Sequence, residues 1–150
     1  IKSLKNLKIS YLTVHLSSGL SALKALKKEI KNVKIAGVTT LTSLNNKDLK
    51  EIGYNKKVNE LVRHQTRLAI KAKLDAIICS GHEIKFVKKV FNKEIITPGI
   101  KIQNIKNDQK RIMKPKDAFA AGSDWLVIGR SITNGNIKKN IKSLLEILED

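Results

Sequence analysis

The stretch that decides the fold is Val127-Ile128-Gly129-Arg130-Ser131-Ile132-Thr133, near the end of the 150-residue sequence. Its first residues are apolar and β-branched, which predicts a strand that turns sharply at Gly129 into a loop and a helix. Glycine lets the backbone approach a ligand closely, and the N–H groups of Gly129 and Arg130 would then point outward beside a guanidinium. The stretch therefore predicts a phosphate-binding turn after the last strand, where barrel enzymes commonly place theirs.

Upstream of this stretch, short apolar runs alternate with longer amphipathic ones. The predicted strands are residues 9–15, 34–41, 76–79, 94–97 and 124–129. The predicted helices are residues 21–30, 47–52, 58–74, 83–91, 115–122 and 137–148, with Ser21 as an N-cap, Pro115 in a first turn and Gly122 as a terminator.

Five successive strand–helix units predict parallel strands joined by right-handed crossovers. No Pro- or Gly-rich linker divides residues 1–150, so we expect a single α/β domain. Two architectures fit, an open doubly wound sheet or part of an eight-fold barrel. No Gly-x-Gly-x-x-Gly follows a predicted strand, which argues against a dinucleotide site.

Each predicted strand ends in small or polar residues. These ends are residues 15–19, 42–43, 80–81, 97–99 and 129–131. In a parallel α/β fold they share one rim, and ligands bind at that rim. Lys101 and Gln109 follow the fourth strand and can close over the same anion as Arg130.

The sequence is strongly basic, with 30 Lys and Arg against 13 Asp and Glu, a net charge of +17. Such a charge raises the possibility of a nucleic-acid or membrane partner. The lysines, however, recur at helical spacing, as in Lys24, Lys27, Lys28 and Lys31, or Lys85, Lys88 and Lys89. We therefore interpret them mainly as solvated helix faces and expect neither a nucleic acid nor a membrane as partner.

Cysteine and histidine content excludes several kinds of site. A single cysteine, Cys79, rules out an internal disulfide framework and a Cys-rich zinc site, and it fits a reducing, cytoplasmic location. Because Cys79 ends an apolar strand, a buried thiol is the favoured interpretation. No two of the three histidines have metal-ligand spacing, so no metal is expected.

Several motifs, in order and along essentially the whole sequence, resemble the orotidine 5′-phosphate decarboxylase family, and those from residue 97 onward resemble its C-terminal third. They are Val14-His15, residues 38–43 (Val-Thr-Thr-Leu-Thr-Ser), residues 79–83 (Cys-Ser-Gly-His-Glu), Thr97-Pro98-Gly99-Ile100, residues 108–113 (Asp-Gln-Lys-Arg-Ile-Met), Pro115 and residues 121–133. The resemblance implies part of a (β/α)₈ TIM barrel of the ribulose-phosphate-binding type. It also implies decarboxylation of orotidine monophosphate (OMP) to uridine monophosphate (UMP), in pyrimidine biosynthesis, without a cofactor.

The same resemblance implies roles for five residues. Arg130, Gly129 and Gln109 would hold the 5′-phosphate, and Thr42 would contact the pyrimidine end of the nucleotide. Lys101 stands where the family usually has Arg, and a lysine keeps the charge while losing the bidentate fork.

The resemblance begins about three strands late. Five units in 150 residues scale to about 240 residues for eight, near the roughly 250 that is typical of the barrel. We therefore expect residues 1–150 to be the C-terminal part of a barrel, without its first three strands. The family's catalytic Asp-x-Lys-x-x-Asp array does not occur here: Asp48-Leu49-Lys50 lies in a predicted helix, and Glu83 is the only acid beside a strand end. No catalytic residue is assigned.

Three hypotheses remain from the sequence. The chain is a decarboxylase segment that is active only with the missing strands, a remnant that binds phosphate without catalysis, or a basic polyanion-binding module. The first two predict OMP or UMP as ligand. An open barrel also predicts exposed edges at the first and fifth strands, and hence a homodimer or association with a segment that carries the missing strands.

Overall fold

Five parallel strands lie side by side in the order of the sequence, in a computed structural model that describes residues 8–102 and 113–149. They are β1 (Tyr11–His15), β2 (Lys34–Val38), β3 (Ala76–Ile78), β4 (Glu94–Thr97) and β5 (Trp125–Leu126). A doubly wound sheet reverses its strand order at a switch point, whereas a barrel wall does not. The order β1-β2-β3-β4-β5 is therefore that of a barrel wall, as one of the two predicted architectures requires.

Helices connect the strands and cover one face of the sheet. They are α1 (Leu20–Glu29), α2 (Asn46–Glu51), α3 (Val58–Lys71), α4 (Ile84–Lys88), α5 (Pro115–Ala121), α6 (Arg130–Thr133) and α7 (Ile137–Glu149). None of these helices is long and apolar enough to cross a membrane. The predicted alternation of strands and helices is confirmed.

The ends of α5 were predicted correctly from the sequence, whereas the start of α1 was not. Pro115 opens α5, and Gly122 ends it in the left-handed region at φ 107°, as predicted. Ser21 was wrong as the cap of α1, because the helix begins one residue earlier and its N-cap is Gly19, at φ 83°. The turn after β1 requires that positive φ, which glycine adopts without steric cost.

The hydrophobic core lies between the sheet and the helices. Ile35, Ile77 and Ile95 point to this face from three adjacent strands, and each is fully buried. Gly37 in β2 shares the face, where an added Cβ would lie 2.7 Å from Leu16 Cδ2 and 2.9 Å from Leu74 Cδ1. Burial on this scale, at about 25 cal/mol per Å² of apolar surface, supplies the main stabilisation of the fold.

An aspartate precedes β3 and ties it to β2. The Asp75 N–H donates to the Ile35 carbonyl (3.0 Å), and the Asp75 carboxylate accepts the Ile35 N–H (2.9 Å) and pairs with Lys27 of α1. Partial burial alone would raise the pKa of Asp75, but the Ile35 N–H and the Lys27 ammonium lower it below its ordinary value.

Asp124 repeats this arrangement before β5. Its N–H donates to the Ile95 carbonyl (2.9 Å), its carboxylate accepts the Ile95 N–H (2.8 Å), and Lys88 of α4 pairs with it at 3.2 Å. Lys27 is half-buried and Lys88 is exposed, so both keep contact with solvent while each also pairs with an aspartate. Each lysine reaches from a helix to an aspartate that helps to align two strands.

The inner face of the sheet carries an ionic cluster at the amino ends of the strands. The Glu94 carboxylate accepts hydrogen bonds from Tyr11 and Lys34 and from Trp125 Nε1 at 3.2 Å. Partial burial alone would raise the pKa of Glu94, but these donors and the Lys34 charge lower it below 4.5. Four strands thus contribute to one network around a single carboxylate.

In the described part of the chain, β1 and β5 are the two edges of the sheet. Within the described residues β1 pairs only with β2, and β5 only with β4. Trp125 and Val127 on the inner face are about half exposed. In the terminal helix α7, Leu144, Ile147 and Leu148 are half-buried, but Leu145 is exposed.

Candidate functional site

A cleft of about 140 Å³ lies at the carboxyl ends of β4 and β5. Residues 98–101, after β4, form one wall, and Val127, Gly129, Arg130 and Ser131, after β5, form the other. Parallel strands place these two connections side by side, since β4 and β5 are neighbours in the sheet. The cleft therefore lies at the rim where ligands of parallel α/β folds bind.

Gly129 forms the turn from β5 into α6, as predicted. Its carbonyl accepts the N–H groups of Ile132 (2.8 Å) and Thr133 (3.1 Å), and its φ is −90°. An added Cβ would meet no atom within 4 Å, so neither packing nor a positive φ requires glycine here. The space beside its backbone is open, and this is where the sequence predicts that a ligand approaches.

Lys101 is 7% exposed, unusually buried for a lysine, although it lines the cleft. Its N–H donates to the Met113 carbonyl (3.1 Å), and the Met113 N–H donates to the Gly99 carbonyl (3.2 Å). Gly99, at φ 77°, makes the turn that precedes this bridge. The opposite wall supplies Arg130, whose side chain is exposed. The cleft is thus lined by one buried lysine and one exposed arginine.

The structure brings three of the five predicted ligand-binding residues together. Lys101, Gly129 and Arg130 line the cleft. Thr42 is half-buried in the connection after β2, at the same rim but three strands from β5, roughly 14 Å away at the usual strand spacing. Gln109 lies outside the described residues.

The connection that contains Thr42 is fixed by buried hydrogen bonds. Thr39 Oγ1 donates to the Ile78 carbonyl (2.9 Å), and Thr40 Oγ1 donates to Gln65 Oε1 (3.2 Å). The β2 strand ends at Val38, three residues earlier than predicted. The two bonds hold Thr39 and Thr40, at the start of the threonine-rich connection, against β3 and α3.

The two acids weighed as catalytic candidates are helix caps. Glu83 is 1% exposed, and its Oε2 accepts the Ser80 N–H at 2.8 Å. Asp48 lies in α2, where its Oδ2 accepts the Asn45 N–H at 2.8 Å. Both carboxylates therefore complete capping boxes.

Metal and thiol chemistry gains no support from the described residues. Cys79 is a free thiol at 1% exposure, which confirms the predicted burial. No group of three or more His, Cys, Asp and Glu in the part of the chain that the structure describes could hold a metal ion.

One contact beside the cleft was missed by sequence reasoning. Met113, whose backbone holds Lys101, packs against Gly81 in the turn after β3. The two residues are far apart in the sequence, and neither carries a functional group that marks a site. A single sequence offers no signal for this contact.

Comparison with known proteins agrees with the motifs and the fold. The model of the Orotidine 5'-phosphate decarboxylase / HUMPS family matches residues 1–141. An orotidine 5'-phosphate decarboxylase of Wolbachia pipientis subsp. Culex pipiens is 37% identical over 155 aligned residues, which cover 100% of this chain and 69% of that protein. The enzyme of the same name from Coxiella burnetii is 44% identical over 93 residues, 60% of this chain and 39% of that protein.

Solved structures show the same architecture. Orotidine 5'-phosphate decarboxylase from Lactobacillus acidophilus superposes with a TM-score of 0.78 at 25% identity, over 95% of this chain and 64% of that one. The Methanocaldococcus jannaschii enzyme, solved in complex with the inhibitor BMP, gives 0.68 at 22% identity, over 94% and 62%. These relatives are TIM barrels, so the five strands are part of such a barrel wall.

The chain spans between 39% and 69% of the length of the two relatives compared by sequence. The family match nevertheless runs along nearly the whole chain, from residue 1 to residue 141, which lies in the first half of α7. Motifs, strand order and overall similarity agree. This chain belongs to the orotidine 5'-phosphate decarboxylase / HUMPS family.

Proposed function

We propose that this chain supplies the phosphate- and nucleotide-binding part of an orotidine 5′-phosphate decarboxylase, a carboxy-lyase that converts OMP to UMP and CO₂ in pyrimidine biosynthesis in the cytoplasm. The observation that carries the proposal is the cleft lined by Lys101, Gly129 and Arg130, in which the space beside the Gly129 backbone is open. Two cations beside an unobstructed turn suit the double charge and the multiple acceptor oxygens of a phosphate monoester.

The size of the cleft indicates which part of the nucleotide it takes. About 140 Å³ is well below the roughly 300 Å³ of the smaller pockets that hold whole small molecules. The phosphoryl group therefore fits inside, and the nucleoside extends along the rim. On this assignment the pyrimidine end lies toward the β2 connection, where Thr42 stands.

The residues have distinct roles in this proposal. Arg130 binds two phosphate oxygens through its planar guanidinium, and Lys101 adds a buried point charge. The Gly129 backbone makes the close contact that a side chain would block. Gln109 is assigned to the phosphate by its family motif alone.

Phosphate binding contributes to catalysis at a distance. Binding energy from a remote, non-reacting group of the substrate can be used to stabilise the transition state at the reacting carbon. The carboxylates and lysine of the family's Asp-x-Lys-x-x-Asp array would perform the decarboxylation and the protonation that follows it. This sequence contains no such array, so we expect binding without turnover from the chain alone.

The open edges of the sheet favour association. β1 and β5 each offer an unpaired strand edge in the described part of the chain, and the inner face exposes Trp125 and Val127. We propose that a second copy, or a segment that carries further strands and the catalytic array, covers this surface.

Calorimetric titration of UMP tests the binding site. Wild-type chain should bind UMP, and Arg130→Ala should weaken binding, while Arg67→Ala, on an exposed position of α3, should leave it unchanged. The BMP complex of the Methanocaldococcus jannaschii relative supports a nucleotide-like ligand. Absence of UMP binding by the wild-type chain would overturn the proposal.

A decarboxylation assay separates an active segment from a phosphate-binding remnant. OMP turnover should be absent with the chain alone and should appear when a segment that carries the Asp-x-Lys-x-x-Asp array is added. If UMP binds but the mixture stays inactive, the result would favour a remnant that binds phosphate without catalysis. The absence of the Asp-x-Lys-x-x-Asp array from this sequence is consistent with that alternative.

A further inference from the structure

We propose that Gly81 and Met113 position Lys101, so that the turn after β3 sets the phosphate affinity of the cleft between β4 and β5. This inference rests on the proposed function, because it concerns the same cleft. Gly81 and Met113 are positioning residues, and neither belongs to the residues that line the cleft.

The first half of the link runs through the backbone. Met113 bonds to both sides of Ile100: its carbonyl accepts the Lys101 N–H (3.1 Å) and its N–H donates to the Gly99 carbonyl (3.2 Å). Ile100 is 3% exposed, so this segment cannot shift without unpacking its core contacts. A movement of Met113 must therefore either pull residues 99–101 out of their packing or break the two bonds, and in both cases Lys101 loses its support.

The second half of the link is a steric contact. A Cβ added to Gly81 would lie 2.6 Å from Met113 Sδ and 2.8 Å from Met113 Cβ. The thioether end of Met113 could swing away, but its Cβ can move only with the backbone. Gly81 has no positive φ, so the contact with Met113, and not the backbone conformation, requires a glycine at this position.

The turn that carries Gly81 is itself firmly held. The Ser80 N–H donates to Glu83 Oε2 (2.8 Å), and the His82 N–H donates to Ser80 Oγ (3.3 Å). Ser80 is fully buried and Glu83 nearly so. Because the turn cannot yield, a methyl group at position 81 displaces Met113 instead.

The consequence falls on phosphate binding. Hydrogen bonds weaken steeply with distance and angle, and a misplacement of about 1 Å can cost roughly 10²-fold in function. Lys101 meets the phosphate from a buried position, where it has little freedom to recover the lost geometry. We therefore expect a methyl group at position 81 to weaken phosphate binding without touching the cleft.

Gly81→Ala tests this inference, with Gly37→Ala as the matched control. Gly37 also lacks a positive φ, and an added Cβ there clashes with Leu16 and Leu74, on the helix-covered face of the sheet. Both variants should lower the melting temperature. Only Gly81→Ala should weaken the binding of UMP and of inorganic phosphate, by about tenfold or more, within the range that such misplacements produce.

Amide hydrogen exchange gives a readout that needs no ligand. In Gly81→Ala the Lys101 and Met113 amides should exchange faster relative to the core amides of β3, and in Gly37→Ala they should not. Met113→Ala, which removes the side chain and keeps the backbone, is the second variant and should also weaken phosphate binding.

The two proposals fail in different ways. Wild-type chain that binds neither UMP nor phosphate overturns the proposed function and, with it, the effect on affinity. Wild-type binding that Gly81→Ala and Met113→Ala leave unchanged, or that Gly37→Ala weakens equally, overturns the positioning role alone.

Discussion

Replacing Glu94 by glutamine should destabilise the fold in a pH-dependent manner. The substitution keeps the shape of the side chain and removes the charge that accepts hydrogen bonds from Tyr11, Lys34 and Trp125. A hydrogen bond to a charged group contributes roughly 1.5–3 kcal/mol and a neutral one roughly 0.5–1.5 kcal/mol. The Glu94 side chain is 28% exposed, so solvent screening reduces the difference, and we expect a loss of about 1–2 kcal/mol near pH 7.

The sign of the pH dependence follows from the lowered pKa of Glu94. A carboxyl group whose pKa is lower in the folded state binds its proton more weakly there than in the unfolded chain. Its stabilising contribution is therefore complete above the ordinary value of 4.5 and is lost as the pH falls through the folded-state pKa. The difference between wild type and Glu94→Gln should shrink accordingly below pH 4.5.

Urea denaturation at a series of pH values measures this difference directly. Glu146→Gln is the matched control, because Glu146 forms an exposed i,i+4 pair with Lys142 at 3.9 Å and should cost less than about 0.5 kcal/mol. Other carboxyl groups titrate in the same range, but they cancel when each variant is compared with wild type. A Glu94→Gln loss no larger than that of Glu146→Gln, or one that does not vary with pH, would refute the reasoning.

Three further predictions concern the cleft, the core and the edges. Gly129→Ala should leave the free energy of unfolding nearly unchanged, because the new Cβ meets open space, yet weaken UMP binding by calorimetry at least about tenfold by occupying the place of a phosphate oxygen; equal affinities would contradict the assigned role. Ile77→Ala should cost about 2–5 kcal/mol in urea denaturation, since Ile77 is fully buried under the helices, and a loss below about 1 kcal/mol would place the core elsewhere. In sedimentation experiments the chain alone should self-associate through its open edges, or be only marginally stable as a monomer, and a monodisperse, high-melting monomer would show that the exposed edges and inner face need no partner.

Local sequence signals predicted most of the fold because they act over a few residues. The period of the apolar residues distinguishes strand from helix, and Pro115 and Gly122 mark the two ends of α5 without help from the rest of the chain. The start of α1 was misplaced because the turn after β1 selects Gly19. That turn depends on how the chain leaves the sheet, which a residue pattern does not record.

The candidate site divides in the same manner. Gly129 and Arg130 are adjacent in the sequence and could be recognised together, whereas the pairing of Lys27 with Asp75 joins residues that only the folded chain brings close. Glu83 was noted from the sequence only as the one acid beside a strand end, and its hydrogen bond from the Ser80 N–H shows that it belongs to a capping box. The roles of Lys27 and Glu83 depend on the direction of their side chains in the folded protein, which a sequence does not give.

The Glu94 network and the phosphate cleft lie at opposite ends of the same strands. Stabilising substitutions often reduce activity when they alter the strained or mobile residues of a site. Here the two ends share no residues: the network uses the first residues of β1, β2, β4 and β5, and the cleft uses the connections beyond β4 and β5. A protein engineer could therefore raise thermal tolerance at the amino ends of the strands while leaving ligand affinity to be tuned separately at their carboxyl ends.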